Sequence, residues 1–173
     1  MHLVRPLLLL VALAAAAPAR AAVMLPASVE DLARSSQAVV RGRVARMTSR
    51  WSDDQRRIFT YVEIEPASVW RGTPPARVTV LVPGGVVGDI GQRVDGAAAF
   101  ARGEEVVVFL SEAEAGTFRV TGLAQGKFSV AGGTAAPDLG HVSFAAPARL
   151  PAGERRAEAM DVAELEQRVR SVR

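Results

Sequence analysis

Between Ala38 and Ala131 apolar and polar residues alternate with a period of two, which predicts strands. The plainest case is Ile58–Glu65, where Thr60, Val62 and Ile64 fall on one face and Tyr61, Glu63 and Glu65 on the other. Ala38–Val44 and Arg77–Val82 read the same way. Pro66 interrupts the second run and predicts a bulge or an edge before Ala67–Trp70 resumes it. Glu104–Leu110 is nearly continuously apolar, as a central strand requires, and Thr117–Gly122 and Lys127–Ala131 complete the set. Gly- and Pro-containing turns separate the runs, and helix–strand alternation is absent. These features predict a mainly β chain forming an antiparallel five- to six-stranded barrel. Its expected core is Val39, Val44, Val62, Ile64, Val78, Val80, Val107, Phe109 and Val120.

Two helices are expected to flank the barrel. Ser28 caps a short one in which Asp31 supports the helix dipole, with Val29, Leu32 and Ala33 on its apolar edge. Glu154 to Arg170 places acids early and Arg168 and Arg170 late, with Val162, Leu165 and Val169 as a narrow apolar stripe. The stretch before it, 132–153, is rich in Gly, Ala and Pro and reads as a loop with a weak strand at His141–Phe144. The barrel then occupies 22–131 and the C-terminal helix 154–173.

The first residues follow another pattern. A basic start through Arg5, an apolar run from Pro6 to Ala17 and small residues around Ala19 and Ala21 form a secretory signal peptide over 1–21. The run is too short for a bilayer span. The expected protein is exported, periplasmic or extracellular, with no membrane span after cleavage.

Removing 21 residues from 173 leaves 152, enough for one domain with its own core. Without Arg5 and Arg20 the formal charge falls to +1, and the arginines lie scattered among acids. No basic stripe with interleaved aromatics is evident, so no nucleic-acid partner is expected. Cysteine is absent, so neither disulfides nor lipidation after the signal is available. Asparagine is absent as well, and with it any glycosylation sequon. Lys127 is the single lysine, a bias typical of a GC-rich bacterial genome.

Candidate chemistry is sparse. His141 is the one histidine after the signal, too little for zinc without cysteine, and no metal or cofactor is expected. A catalytic triad would have to use His141 in a loose segment. Gly122–Phe128 is one residue short of a phosphate loop between its glycines and carries Phe128 where a hydroxyl belongs, so it reads as a turn. Gly84–Gly91 follows a strand but opens no helix, which excludes a dinucleotide fingerprint. Glu63 and Glu65 share a strand face, the pattern of a solvated surface. The chain is read as non-enzymatic. Recognition falls instead on two long connections. One carries Trp51, Arg56 and Arg57, an aromatic beside arginines. The other carries Val86, Val87 and Ile90, unusually apolar for a solvated loop.

Ala38–Val44 resembles the first barrel strand of netrin-like domains, the fold of tissue inhibitors of metalloproteinases. Val62–Gly72, ending Ser-Val-Trp-Arg-Gly, is similar to their second strand, and Phe100–Leu110 to their later Gly-then-strand element. The resemblance implies an OB-like barrel and a protein-binding role. The zinc-chelating cysteine of the inhibitors has no counterpart, so inhibition does not carry over. The expected function is an exported module with a protein partner. The alternative is an accessory of envelope assembly acting through the C-terminal helix.

Overall fold

The computed structural model describes residues 23–144 and 156–172. The expected signal peptide, residues 145–153 of the expected loop and residues 154–155 of the expected helix lie outside them. In chain order come β1 (Val23–Met24), α1 (Val29–Arg34), β2 (Ala38–Trp51), β3 (Ile58–Arg71) and β4 (Val78–Pro83). A small hairpin follows, β5 (Gly85–Val87) and β6 (Ile90–Gln92). Then come β7 (Glu105–Glu112), β8 (Phe118–Val120), β9 (Lys127–Ala131), β10 (Thr134–Pro137), β11 (Ser143–Phe144), β12 (Met160–Asp161) and α2 (Val162–Ser171).

Five strands close a barrel in the cyclic order β7–β2–β3–β4–β8, with β8 returning to β7. β9, β10 and β12 continue the sheet outward from β7. The expectation of a wholly antiparallel barrel is corrected at one contact. β4 and β8 pair in parallel, through Val80 and Phe118. A closed ring with an odd number of strands cannot reverse direction at every contact, so one parallel contact is forced.

The expected single core is in fact two. Inside the barrel, Val40, Val44, Val62, Ile64, Val78, Val80, Val106, Val108 and Leu110 pack together. Outside it, Val39, Trp70, Val107, Phe109 and Phe128 pack under Val29 and Leu32 of α1 and Leu165 and Val169 of α2. Phe109 and Phe128 meet with ring centroids 5.8 Å apart. β7 is thus buried on both faces from Val106 to Leu110, which is why its sequence shows no alternation. Of the residues expected in the core, Val120 is only partly buried.

The helices are set by local chemistry. Ser28 Oγ accepts the Asp31 N–H at 3.0 Å and the Asp31 carboxylate accepts the Ser28 N–H, a reciprocal cap. α2 begins at Val162 rather than Glu154, because the Asp161 side chain accepts the Ala163 N–H at 2.7 Å and caps the helix there. The chain before it is extended, bridging Arg156 to Ser28 and donating from Ala157 N to Ala27 O. Part of the expected loop is strand: Gly132 and Gly133, both at positive φ, turn β9 back into β10. Two parallel N–H···O bonds of 2.7 Å from Arg168 to Glu30 join α2 to α1. The Arg168 guanidinium holds the Glu30 carboxyl below its ordinary pKa, against the opposing effect of burial. No helix among the described residues is long and apolar enough to cross a bilayer.

If the outer core ties the helices to the barrel, truncating Phe109 is costly. Phe109→Ala should lose roughly 3–5 kcal/mol of stability on chemical denaturation. A loss below about 1 kcal/mol would place the side chain outside any tightly packed core.

Candidate functional site

β2 and β3 are each 14 residues long, yet β2 meets β7 only over Ala38–Arg43 and β3 meets β4 only over Phe59–Ile64. The half of β2 beyond Ala45 therefore stands clear of β7, paired with β3 from Arg46–Glu63 to Trp51–Ile58. Three register shifts let this long ribbon twist, one of them one residue after Pro66, where the sequence predicted a bulge or an edge. Its tip, Ser52–Arg57, is closed by Ser52 Oγ donating to Asp54 at 2.6 Å and accepting the Arg57 N–H at 3.0 Å.

The β5–β6 hairpin lies against the inner face of this ribbon. Gly84 donates its N–H to Ile58 O at 2.8 Å, Thr60 Oγ1 donates to Gly84 O at 2.7 Å, and Gln92 Oε1 accepts the Ile58 N–H at 2.6 Å. Gly85 makes the approach possible. A Cβ there would collide with Thr60 Oγ1 and Ser49 Oγ, and its φ of +139° suits glycine. The connection expected as a recognition loop, Gly84–Gly91, is therefore part of a docked hairpin.

The structure thus brings together the two connections singled out from the sequence. Trp51 is half-buried at the ribbon end, paired with Ile58 on the face that carries Ser49 and Thr60. Val86 and Ile90 project from the hairpin with 66% and 55% of their surface exposed, and Val87 is half-buried. Arg56 and Arg57 are exposed at the ribbon tip, and the Arg57 guanidinium stands 5.6 Å from the Phe59 ring centre. On the outer face Arg50 covers Tyr61 at 4.0 Å.

Two clefts open beside this assembly. One, about 390 Å³, lies under the hairpin and is lined by Met47, Val82, Gln92, Phe100, Asp138 and His141. His141 is exposed there and makes no hydrogen bond among the described residues. The second, about 470 Å³, lies where β4 and β8 diverge and includes Arg57, Phe59, Leu81, Arg119 and Leu123. Sequence reasoning missed this second cleft; in β3, Phe59 lies on the face opposite Thr60, half-buried.

Other candidate chemistry is accounted for by structure. Arg77 pairs with Glu63 at 3.9 Å and with Glu65 at 3.4 Å on the solvated face. Leu123–Gly126 forms a 3-10 turn between β8 and β9, with Gly122 at φ 69° as its N-cap. No group of three or more potential metal ligands comes together among the described residues. Lys127 is only 3% exposed, and its Nζ donates to Ser129 Oγ at 2.7 Å and to Glu104. Ser129 Oγ donates to the same Glu104 oxygen at 2.6 Å, so the hydroxyl and the amine are both engaged. Burial would raise the Glu104 pKa, but hydrogen bonds from Lys127, Ser129 and the Ala101 N–H outweigh it and hold the carboxyl below its ordinary value.

No protein-family model, curated protein or solved structure matches the chain.

Because the folded Glu104 pKa is lowered, its contribution is complete above the ordinary value of 4.5 and is lost as pH falls through the folded value. Glu104→Gln leaves the Lys127 ammonium buried without a counter-charge. It should cost roughly 3 kcal/mol at pH 7 and flatten the acid limb of a stability-versus-pH curve. An unchanged acid limb would remove Glu104 from that linkage.

Proposed function

We propose that this chain is an exported, non-enzymatic binding module for a protein partner, built on a barrel of the OB type. Numbering only the barrel strands along the chain, their cyclic order is first, second, third, fifth, fourth, with the third and fifth parallel. That closed order favours the OB reading and, with it, the netrin-like resemblance. Export rests on the signal-like pattern over residues 1–21.

The observation that carries the binding reading is the docking of the β5–β6 hairpin on the β2–β3 ribbon. It leaves apolar Val86 and Ile90 in solvent on a hairpin held at Ile58 and Thr60, Ile58 being the residue that pairs with Trp51. Two large exposed aliphatics on a three-residue strand pair add nothing to the fold. A partner surface would remove them from water. A non-enzymatic role is favoured by the engagement of Lys127, Ser129, Glu63 and Glu65 in ion pairs and hydrogen bonds. The assembly-accessory alternative loses its support, since Val162, Leu165 and Val169 of α2 are already buried in the outer core.

Photo-crosslinking from position 90 in the envelope fraction of the native host tests this reading, and intact mass of the exported protein tests cleavage near Ala21. Trp51→Ala, and separately Val86→Ser with Ile90→Ser, should weaken the captured complex by about 1–2 kcal/mol while leaving Tm nearly unchanged. Binding that survives both changes would remove the surface. A species retaining residues 1–19 in the membrane fraction would contradict export with cleavage.

A further inference from the structure

The barrel closes poorly at one seam. β4 pairs with β8 at the single position Val80–Phe118, while Leu81, Val82 and Pro83 keep β3 on their other side. β8 meanwhile leans onto β7 through Val120 and Arg119. The cleft of about 470 Å³ occupies the gap. Its floor is apolar: Val82 and Ala98 are 8% and 6% exposed, and partly buried Val120 lines it from the other strand.

Its rim is charged with one sign. Arg57 and Arg119 are the charged residues lining the cleft, and neither pairs within 4.0 Å with a described carboxylate. Asp54 in the ribbon tip accepts from Ser52 Oγ and the Arg56 N–H, and Arg57 acts on it only through space, without a hydrogen bond or ion pair. Leu123 adds a third feature. It is held at φ 57°, a region leucine avoids, and is 44% exposed at the cleft edge. Strain that presents an apolar side chain to water is retained where that side chain has a use.

We propose that this seam takes an extended peptide segment of a partner protein in which acidic and small aliphatic residues alternate. The proposal rests on the protein-binding reading and names the chemistry of the segment recognised. An extended strand projects alternate side chains to opposite faces. Laid along the open edge of β4, one set enters onto Val82, Ala98 and Val120, and the other faces outward to Arg57 and Arg119. The main chain adds to the sheet where β8 has withdrawn. A polyanion such as a nucleic acid or an acidic glycan fits less well. The floor is aliphatic rather than aromatic, and the Phe59 ring already lies under the Arg57 guanidinium.

The probe is a fluorescein-labelled peptide of roughly ten residues alternating Glu and Val, compared with its Lys–Val counterpart by fluorescence anisotropy. The full exported chain should bind the Glu–Val peptide saturably and not the Lys–Val peptide. Arg119→Glu and Arg57→Gln should each weaken binding about tenfold or more. Hydrogen exchange should slow at Leu81 and Val82 and at Arg119 to Thr121. If circular dichroism shows Arg119→Glu unfolded, Arg119→Gln and a salt titration of the unaltered chain give the same discrimination. Absence of Glu–Val binding, equal binding of both peptides, or unchanged binding by the arginine variants would overturn the proposal. So would protection confined to the β5–β6 hairpin, or heparin displacing the peptide at far lower concentration through the same arginines. The Val86→Ser, Ile90→Ser variant should bind the peptide normally, which separates a failure of this seam from a failure of the hairpin surface.

Discussion

Everything in this fold leans on β7 being buried from both sides. Val106, Val108 and Leu110 close the inside of the barrel, while Val107 and Phe109 anchor the layer of α1, α2, β9 and β10 outside it. Five consecutive apolar side chains in one strand couple two cores that would each be small alone. With no cysteine in the chain, burial must supply the stability. The bidentate Arg168–Glu30 pair and the Lys127–Glu104–Ser129 cluster tie the rim of the outer layer to this wall. Their weight is in orientation more than in net energy.

That arrangement decides which surfaces are free. Helices cover the outer wall along the first half of β2, β7 and β9, so the opposite wall of β3 and β4 is left open, with Phe59, Tyr61 and Leu81 facing outward. The long ribbon projects past the covered wall, and the β5–β6 hairpin folds onto its inner side. The two connections and the loose β4–β8 seam therefore share the uncovered side of the barrel, with Arg57 belonging to both the ribbon tip and the seam. Ring parity imposes one parallel contact, and it falls at this seam, between β4 and β8.

Much of this was legible in the residues. Alternation over Ile58–Glu65 assigned inside and outside correctly, and Ser28 with Asp31 marked the first helix to its cap. The apolar run at Val106–Leu110 marked a central strand. A run of that kind does not say that its two faces serve different cores, because that depends on where distant helices land. The start of α2 was misplaced because propensity extends across Glu154–Ala159, whereas the Asp161 cap and pairing to β10 decide the boundary. The candidate residues Trp51, Val86 and Ile90 were visible as apolar groups in polar connections. The docking of one connection on the strands of the other was not, since it depends on Gly85 fitting against Ser49 and Thr60, 25 or more residues away in sequence. Arg119 gave no signal, because an exposed arginine on a short strand is ordinary until a cleft beside it proves to lack acids.

Through β7, the barrel and the helical layer form a single cooperative unit. Native-state hydrogen exchange on Leu165→Ala, a truncation wholly within the outer layer, tests it directly. The most protected amides of Val40 and Ile64 in the barrel should lose as much protection as those of Val107 and Phe109, by roughly 2–5 kcal/mol. Loss confined to α1 and α2, with the barrel amides unchanged, would contradict it.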